Sequence, residues 1–388
     1  MIYLDNNATT KVHPEVLDAM LPYLQEEYGN PSSKYYTKAN NAKKAVEEAR
    51  KNVANLIKCK EDEIIFTSGS SESNNLIIKG YADYCKYYSK KGNHLITSQV
   101  EHKSVIQTFK FLNGEIYNNQ EESHEEIKID RGYEIDLLNV NKYGQVDINN
   151  LIDALKESTI LVSIIWGNNE IASLNDIKKL SKIASKKGIK FHSDATQVLG
   201  KLDINTKEID VDFMSFSAHK LKGPKGIGAA YIKQGEYMKE KLTSLIHGGS
   251  QENNYRAGTL AVHNIVGFGK AAEIAGRNLK DKLEKINEFE LELRKALKNK
   301  FECIEFINAE DHLPGSIPMI IPNMFNELYI KRLSDKVAIS SGSACSVNEG
   351  SYVLKAIGRD DQQRNFVRLS ISEETVEDYS IDEIIELL

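Results

Sequence analysis

The segment Ser215-Phe216-Ser217-Ala218-His219-Lys220 carries the first chemistry that can be read from this chain. An apolar run, Val211 to Phe216, leads into a polar turn that ends in a histidine and a lysine, with Gly223-Pro224-Lys225-Gly226 directly after it. A lysine leaving a strand into a glycine-rich turn can be held with its amine aimed into a cleft, as a lysine that condenses with a carbonyl group must be. Alone, Lys220 is one of 50 Lys and Arg residues, most of which are solvated charge. A second strand-like run, Phe191-His192-Ser193-Asp194-Ala195-Thr196-Gln197, ends in an acid and an amide. Asp194 supplies the carboxylate that keeps a pyridine nitrogen protonated, so that its ring acts as an electron sink. Glu63 to Thr67 reads as a strand running into Ser68-Gly69-Ser70-Ser71-Glu72-Ser73-Asn74-Asn75 and then a helix. Small residues at a helix N-terminus make an anion site, with Ser70 and Ser71 as hydroxyl donors; an ordinary N-cap is compatible with it. A thiol completes the set. Cys345 follows Ser340-Ser341-Gly342-Ser343-Ala344, a small-residue loop with little apolar cover, which suits an accessible nucleophilic thiolate. The other cysteines have duller settings: Cys59 at a helix end, Cys85 in a helix rich in Tyr and Lys, Cys303 beside a domain junction.

The elements that must position these groups follow from periodicity. The chain has 388 residues, 41% apolar, enough for one large and one smaller domain. A net charge of −6 gives no basic footprint for nucleic acid or an anionic membrane, and no window reaches a membrane-spanning length. The start, Met1-Ile2-Tyr3-Leu4-Asp5, lacks the charged and apolar regions of a secretory signal. Four scattered cysteines show no metal-ligand spacing and fit free thiols in a reducing cytoplasm, with no metal. From 63 to 232, strand and helix patterns alternate, and Thr159 to Trp166 is a continuous apolar run; this is an α/β arrangement, a mostly parallel sheet covered by helices on both faces. Trp166, the one tryptophan, is expected to end its strand at the cleft. The polar, acidic stretch 113–140 reads as a solvated surface excursion. Long helices over 260–300 lead to a smaller α+β domain with strands near Ile304–Phe306, Ser316–Ile321, Val337–Ser340 and Phe366–Ile371. The expected division is an arm, 1–15, packing with the small domain, a large domain, 16–259, and a small domain, 260–388.

Taken in order, Asp194-Ala195-Thr196-Gln197, Ser215 to Lys220, Gly223-Pro224-Lys225-Gly226 and Ser340-Ser341-Gly342-Ser343-Ala344-Cys345 resemble the fold-type I pyridoxal phosphate enzymes, and more narrowly the class I cysteine desulfurases, the NifS/IscS group. The likeness covers nearly the whole chain. It implies pyridoxal 5'-phosphate as cofactor, L-cysteine as substrate and alanine as product, with the sulfur left on Cys345 as a persulfide for an acceptor protein in Fe–S assembly, tRNA thiolation or another pathway. It implies Lys220 as the cofactor-linked lysine and proton carrier, and His102 as the residue stacked on the ring, with proton transfer a second role. Gln197 is implied to bond the ring oxygen, and Asn169 that oxygen or the substrate carboxylate. Ser70, Ser71, Ser217 and His219 are implied to hold the phosphate, joined by Thr259 from a neighbouring subunit of a homodimer with shared sites. Arg368 is implied to hold the substrate carboxylate, with Arg364 nearby as a competitor, and Asn30, in Gly29-Asn30-Pro31-Ser32-Ser33, to line the substrate entrance.

Departures from the pattern leave the acceptor open. Ser70-Ser71 stands where the group usually has Ala-Thr, and position 71 keeps its hydroxyl. The 113–140 stretch is longer than usual, the loop between Cys345 and Ser351 is shorter, and the chain stops at Leu388 without the tail of many members. A selenocysteine lyase or an aminotransferase-like relative would not need Cys345; a scaffold that only docks partners would hold no cofactor.

Overall fold

The computed structural model describes residues 1–115, 129–235, 240–342 and 350–388. The strands, in chain order, are β1 (Ile2–Tyr3), β2 (Ile64–Thr67), β3 (His94–Ser98), β4 (Glu134–Leu138), β5 (Thr159–Ser163), β6 (Lys190–Asp194), β7 (Phe213–Ser217), β8 (Gly228–Ile232), β9 (Glu305–Phe306), β10 (Ser316–Ile320), β11 (Val337–Ala338) and β12 (Phe366–Ser370). The helices used below are α1 (Pro14–Gln25), α2 (Thr37–Leu56), α3 (Ser70–Asp83), α4 (Lys103–Leu112), α5 (Ile148–Ala154), α6 (Ile177–Lys186), α7 (Val262–Gly276) and α8 (Leu279–Lys300).

Seven strands form the central sheet in the order β2-β8-β7-β6-β5-β3-β4. Pairings from β7 through β6, β5 and β3 to β4 are parallel, and β8 is antiparallel to both of its neighbours. The strands β2, β3, β5, β7 and β8 are buried throughout, because both faces are covered. Ile64 and Phe66 point with Val162, Phe191 and Phe216 into a core shared with α2, α6 and α7. The alternate residues Ile65, Leu95, Leu161 and Phe213 meet Ile77, Tyr81 and Phe109 from α3 and α4 on the other face. This is the α/β, mostly parallel architecture expected from the sequence.

Two details differ from the sequence reading. The 113–140 stretch contains β4, the outermost strand, paired in parallel register with β3. An edge strand keeps one flank in water, so Glu134 to Leu137 are exposed or half-exposed and two of its residues, Glu134 and Asp136, are acids; residues 116–128 of that stretch lie outside the described residues. Secondly, α7, grouped by sequence with the small domain, buries Ile265, Phe268, Ala271 and Ala272 in the large core. Gly269 permits this, since a Cβ there would lie 2.4 Å from Ala49 Cα.

The small domain has its own three-stranded antiparallel sheet, β12-β10-β9. Leu293 and Leu297 of α8 pack on it with Ile317, Val367 and Leu369. The chain's start joins this body: β1 pairs in parallel with β11, and Leu4 is buried in the same core. From there the arm crosses to the large domain, where the Thr10 amide donates to His219 O at 3.0 Å.

Candidate active site

The ends of β2, β3, β5, β6 and β7 open onto one side of the sheet, the side on which parallel α/β sheets bind ligands. There, a cleft of about 520 Å³ is lined by Ser70, Ser71, His102, Asn169, Asp194, Gln197, Ser217, His219, Lys220 and Arg368. These ten sequence-predicted residues thus converge.

Lys220 ends a short 3-10 turn that continues β7. Its Nζ donates to Asn7 O at 2.5 Å and Ala8 O at 2.6 Å. Asp194, 3% exposed at the end of β6, accepts from Asn74 Nδ2 at 2.8 Å and from the Thr196 amide at 3.0 Å. Asn74 Nδ2 also donates to Ser104 Oγ at 2.8 Å, and Ser104 Oγ contacts His102 Nδ1 at 2.8 Å. His102 caps α4, its Nδ1 accepting from the Ser104 amide at 3.2 Å. With Nδ1 an acceptor and burial pushing its pKa below the ordinary value, His102 is a neutral imidazole.

The phosphate end is built by backbone. The N-cap of α3 is Gly69, at φ +155°, and no side chain caps the helix. The N–H groups of the first turn and the Ser70 and Ser71 hydroxyls therefore face the cleft as an anion site. Gly228 lets β8 pass beside it; a Cβ there would lie 2.6 Å from Gly69 Cα. His219 Nδ1 lies 3.1 Å from Thr9 Oγ1, and burial, with the charges of Lys220 and Lys225, pushes the imidazole down to about 4, so it is neutral. Glu72, also in the first turn, is held by Arg256 Nε at 2.9 Å, which offsets an acid beside an anion site.

Arg368, on β12 and 1% exposed, closes the opposite end. Its Nη1 donates to Asn169 O at 2.6 Å, its Nη2 pairs with Asp5 Oδ1, and its Nε has no partner among the described residues. Gln197 Nε2 donates to Asn7 O at 2.9 Å while its buried Oε1 has no partner among the described residues. Two cleft-lining groups thus keep hydrogen-bonding capacity for a ligand. With a carboxylate, an amine and an anion cradle in one cleft, the donor set fits pyridoxal phosphate. Asp194 would face the ring nitrogen, Lys220 would hold the aldehyde carbon, and Ser70, Ser71, Ser217 and His219 would hold the phosphate.

Asn30, Thr259 and Trp166 lie elsewhere. Asn30 is exposed, and its Oδ1 accepts from the Ser32 amide at 2.9 Å within its own turn. Thr259 is exposed, in a surface loop outside the cleft lining. Trp166 turns onto the large core while its neighbours Ile165 and Gly167 line the cleft. Cys345 lies outside the described residues; Gly342, at the root of its segment, lines the cleft beside Arg368. Of the other thiols, Cys85 is buried and Cys59 half-buried, and burial raises both pKa values, which makes them poor nucleophiles, whereas Cys303 is exposed. Among the described residues no cluster of His, Cys, Asp and Glu could hold a metal. Sequence reasoning missed Asn74, Ser104 and Asn7. A signal existed for Asn74, one helical turn after Ser70 on the face that carries the anion site.

The class-V aminotransferase family model matches residues 2–379. The cysteine desulfurase IscS of Buchnera aphidicola is 41% identical over 396 residues, covering 100% of this chain and 91% of that protein. The mitosomal cysteine desulfurase of Encephalitozoon cuniculi is 40% identical, covering 93% and 79%. Among solved structures, a NifS-like protein superposes with a TM-score of 0.86 at 32% identity, covering 100% of this chain and 98% of that one. A structure described as SspA in complex with cysteine gives 0.81 at 31% identity, covering 96% and 99%. The chain belongs to the class-V aminotransferase family, and within it to the pyridoxal-phosphate-dependent cysteine desulfurases.

Proposed function

We propose that this chain converts L-cysteine to L-alanine and passes the sulfur, as a persulfide on Cys345, to an acceptor protein. The observation that carries this reading is the convergence of Lys220, Asp194 and the uncapped start of α3 in one cleft, with Arg368 at its far end. Bound pyridoxal phosphate supplies an electron sink for the bond-breaking at the substrate's Cα and Cβ. The chain's residues do the rest. Asp194, fixed by Asn74 and Thr196, keeps its carboxylate on the ring nitrogen. His102, half-buried and with its pKa lowered by desolvation, covers the ring and excludes water. Gln197 would direct its amide to the ring oxygen, and Asn169 would bond that oxygen or the substrate carboxylate. Arg368 holds that carboxylate. The Lys220 amine takes the Cα proton and returns it along the substrate. The Cys345 thiolate attacks the substrate sulfur: a new S–S bond forms, the Cβ–S bond breaks, and the carbon fragment gains a proton and leaves as alanine.

The same reading makes the enzyme a homodimer. Thr259 is exposed on a loop that can reach a second copy's phosphate, and the exposed Asn30 turn is taken to line a substrate entrance. Leu17, Leu21 and Leu24 form an exposed apolar stripe along α1, as a subunit interface provides. No helix among the described residues is long and apolar enough to cross a membrane. We place the enzyme in the cytoplasm, with an acceptor serving Fe–S assembly or thiolation. The division into arm (1–15), large domain (16–259) and small domain (260–388) is kept, with α7 packed on the large core.

The test is a pair of variants. Cys345→Ser should keep the cofactor reducible onto Lys220 by borohydride, yet form no persulfide by mass spectrometry and alanine only at background. Lys220→Ala should lose both. Alanine formed from cysteine at the normal rate by Cys345→Ser would replace the desulfurase with a lyase.

A further inference from the structure

Asn7, 2% exposed in the arm, has every polar group engaged. Its amide donates to Ser370 Oγ at 2.9 Å and its Nδ2 to Ser316 Oγ at 2.7 Å, which ties it to β12 and β10 of the small domain. Its Oδ1 accepts from Lys201 Nζ at 2.9 Å. Its carbonyl accepts from Gln197 Nε2 at 2.9 Å and Lys220 Nζ at 2.5 Å. The next carbonyl, Ala8 O, accepts from the same Lys220 amine at 2.6 Å. Two carbonyls therefore take two N–H bonds of one amine, which fixes its rotation about the Cε–Nζ bond. An amine that carries a proton between two carbons needs that control, because transfer depends steeply on direction and distance.

We propose that Asn7 and Lys201 are positioning residues for Lys220, and that they set a two-carbonyl cradle which receives the Lys220 amine whenever it is released from the cofactor. This rests on the function proposed above and adds a part to it. Lys201 enters from the turn after β6, and its stem lines a second cavity, of about 100 Å³, behind Lys220 with Leu199, Leu221 and Ile274. Its charged neighbours are Lys220 and Arg368, and burial together with those charges lowers its amine to about 7. It can hold Asn7 Oδ1 without setting a full third cation beside them. Without Lys201, Asn7 Oδ1 would be a buried acceptor with no donor, and the arm would shift to find one.

Asn7→Ala and Lys201→Met test this in the full-length enzyme. The expected result is a fall of roughly 100-fold in kcat with KM for L-cysteine nearly unchanged, since the proton carrier is misplaced and the carboxylate site is not. A second readout needs no turnover. The stripped protein should recapture pyridoxal phosphate, followed by absorbance, about tenfold more slowly or worse in both variants, because the amine is no longer aimed. Should Asn7→Ala fail to fold, Lys201→Met, which leaves the arm sequence intact, decides. Wild-type kcat and recapture rate in soluble Lys201→Met would overturn the cradle, as would a raised KM at unchanged kcat. A wild-type enzyme that makes no alanine would instead overturn the functional reading, and the recapture rates would still judge the cradle.

Discussion

Arg50→Met should detach one surface loop without unfolding the enzyme. The Glu252 side chain is 1% exposed, and its carboxylate accepts from Arg50 at 2.7 and 2.8 Å and from the Phe66 amide at 2.7 Å. Arg50 Nη1 also donates to Ile64 O, so the pair covers the outer edge of β2. Glu252, Asn253 and Asn254 all have left-handed backbone, with φ of 46°, 56° and 68°. Holding non-glycine residues there costs about 1–2 kcal/mol each. Removing the arginine strands a buried carboxylate, a loss of about 3–5 kcal/mol. The strain is of similar size, so the low-energy response is for Glu252 to withdraw and the loop to relax. A local opening made about 3 kcal/mol easier speeds amide exchange on the order of 100-fold. Hydrogen-exchange mass spectrometry of a peptide spanning 251–259 should show that change while the β5 and β6 peptides stay protected. Thr259 rides on this loop, so pyridoxal phosphate should also dissociate faster. Arg50→Lys should fall between, since one ammonium cannot span both carboxylate oxygens and Ile64 O. Unchanged exchange over 251–259 in Arg50→Met would refute the anchor, and loss of protection across the whole sheet would refute its local character.

Glu101→Gln should become relatively more stable as pH rises. Burial lifts the Glu101 carboxyl from 4.5 to about 8, so the folded state binds its proton more tightly; that contribution is complete below pH 4.5 and is lost as pH climbs to about 8. Urea midpoints of variant and wild type at pH 5 and pH 8 check this, and an equal difference at both pH values would count against it. Arg368→Lys should raise KM for L-cysteine about tenfold, because the bidentate fork is lost, and an unchanged KM in initial-rate assays would move the carboxylate site elsewhere. Mixing Lys220→Ala and Thr259→Ala subunits should give heterodimers with one intact site, hence more alanine than the mean of the two parents; activity at that mean would argue against a shared site.

The chemistry-bearing residues were readable where the reaction dictates residue type. A lysine can condense with an aldehyde carbon and an acid can keep a pyridine nitrogen protonated, so Lys220 and Asp194 stood out at strand ends as candidates. The buried strands were readable for a similar reason, because a sheet covered on both faces demands runs such as Thr159–Ser163. β4 was hidden because its Asp136 reads as surface charge; the partners that make it tolerable, His94 at 3.1 Å and Lys156 at 3.0 Å, come from distant segments. The packing of α7 on the large core was not readable because an apolar helical pattern states that a helix is buried and is silent about its partner. Asn7 and Asn74 were missed because an amide has no chemistry of its own; its role is set by what it touches, and Asn7 touches residues up to 363 positions away.

The division of labour between the two bodies follows from where those contacts run. The groups proposed for ring and phosphate sit at strand ends and helix starts of the large domain, fixed by neighbours from that same body: Asp194 by Asn74 of α3 and by Thr196, His102 by Ser104 of α4. Arg368, proposed for the substrate's charge, sits on β12 of the small domain and lines the cleft, held by Asp5 and Asn169 O. The arm is common to both, bonded to β12 at Asn7 and to Lys220 through two carbonyls. Damage at the sheet edge should therefore appear as loss of cofactor, and damage on β12 as a change in KM. Damage to the arm should leave both bound groups in place and appear in kcat, since what it misaligns is the amine that must move between them.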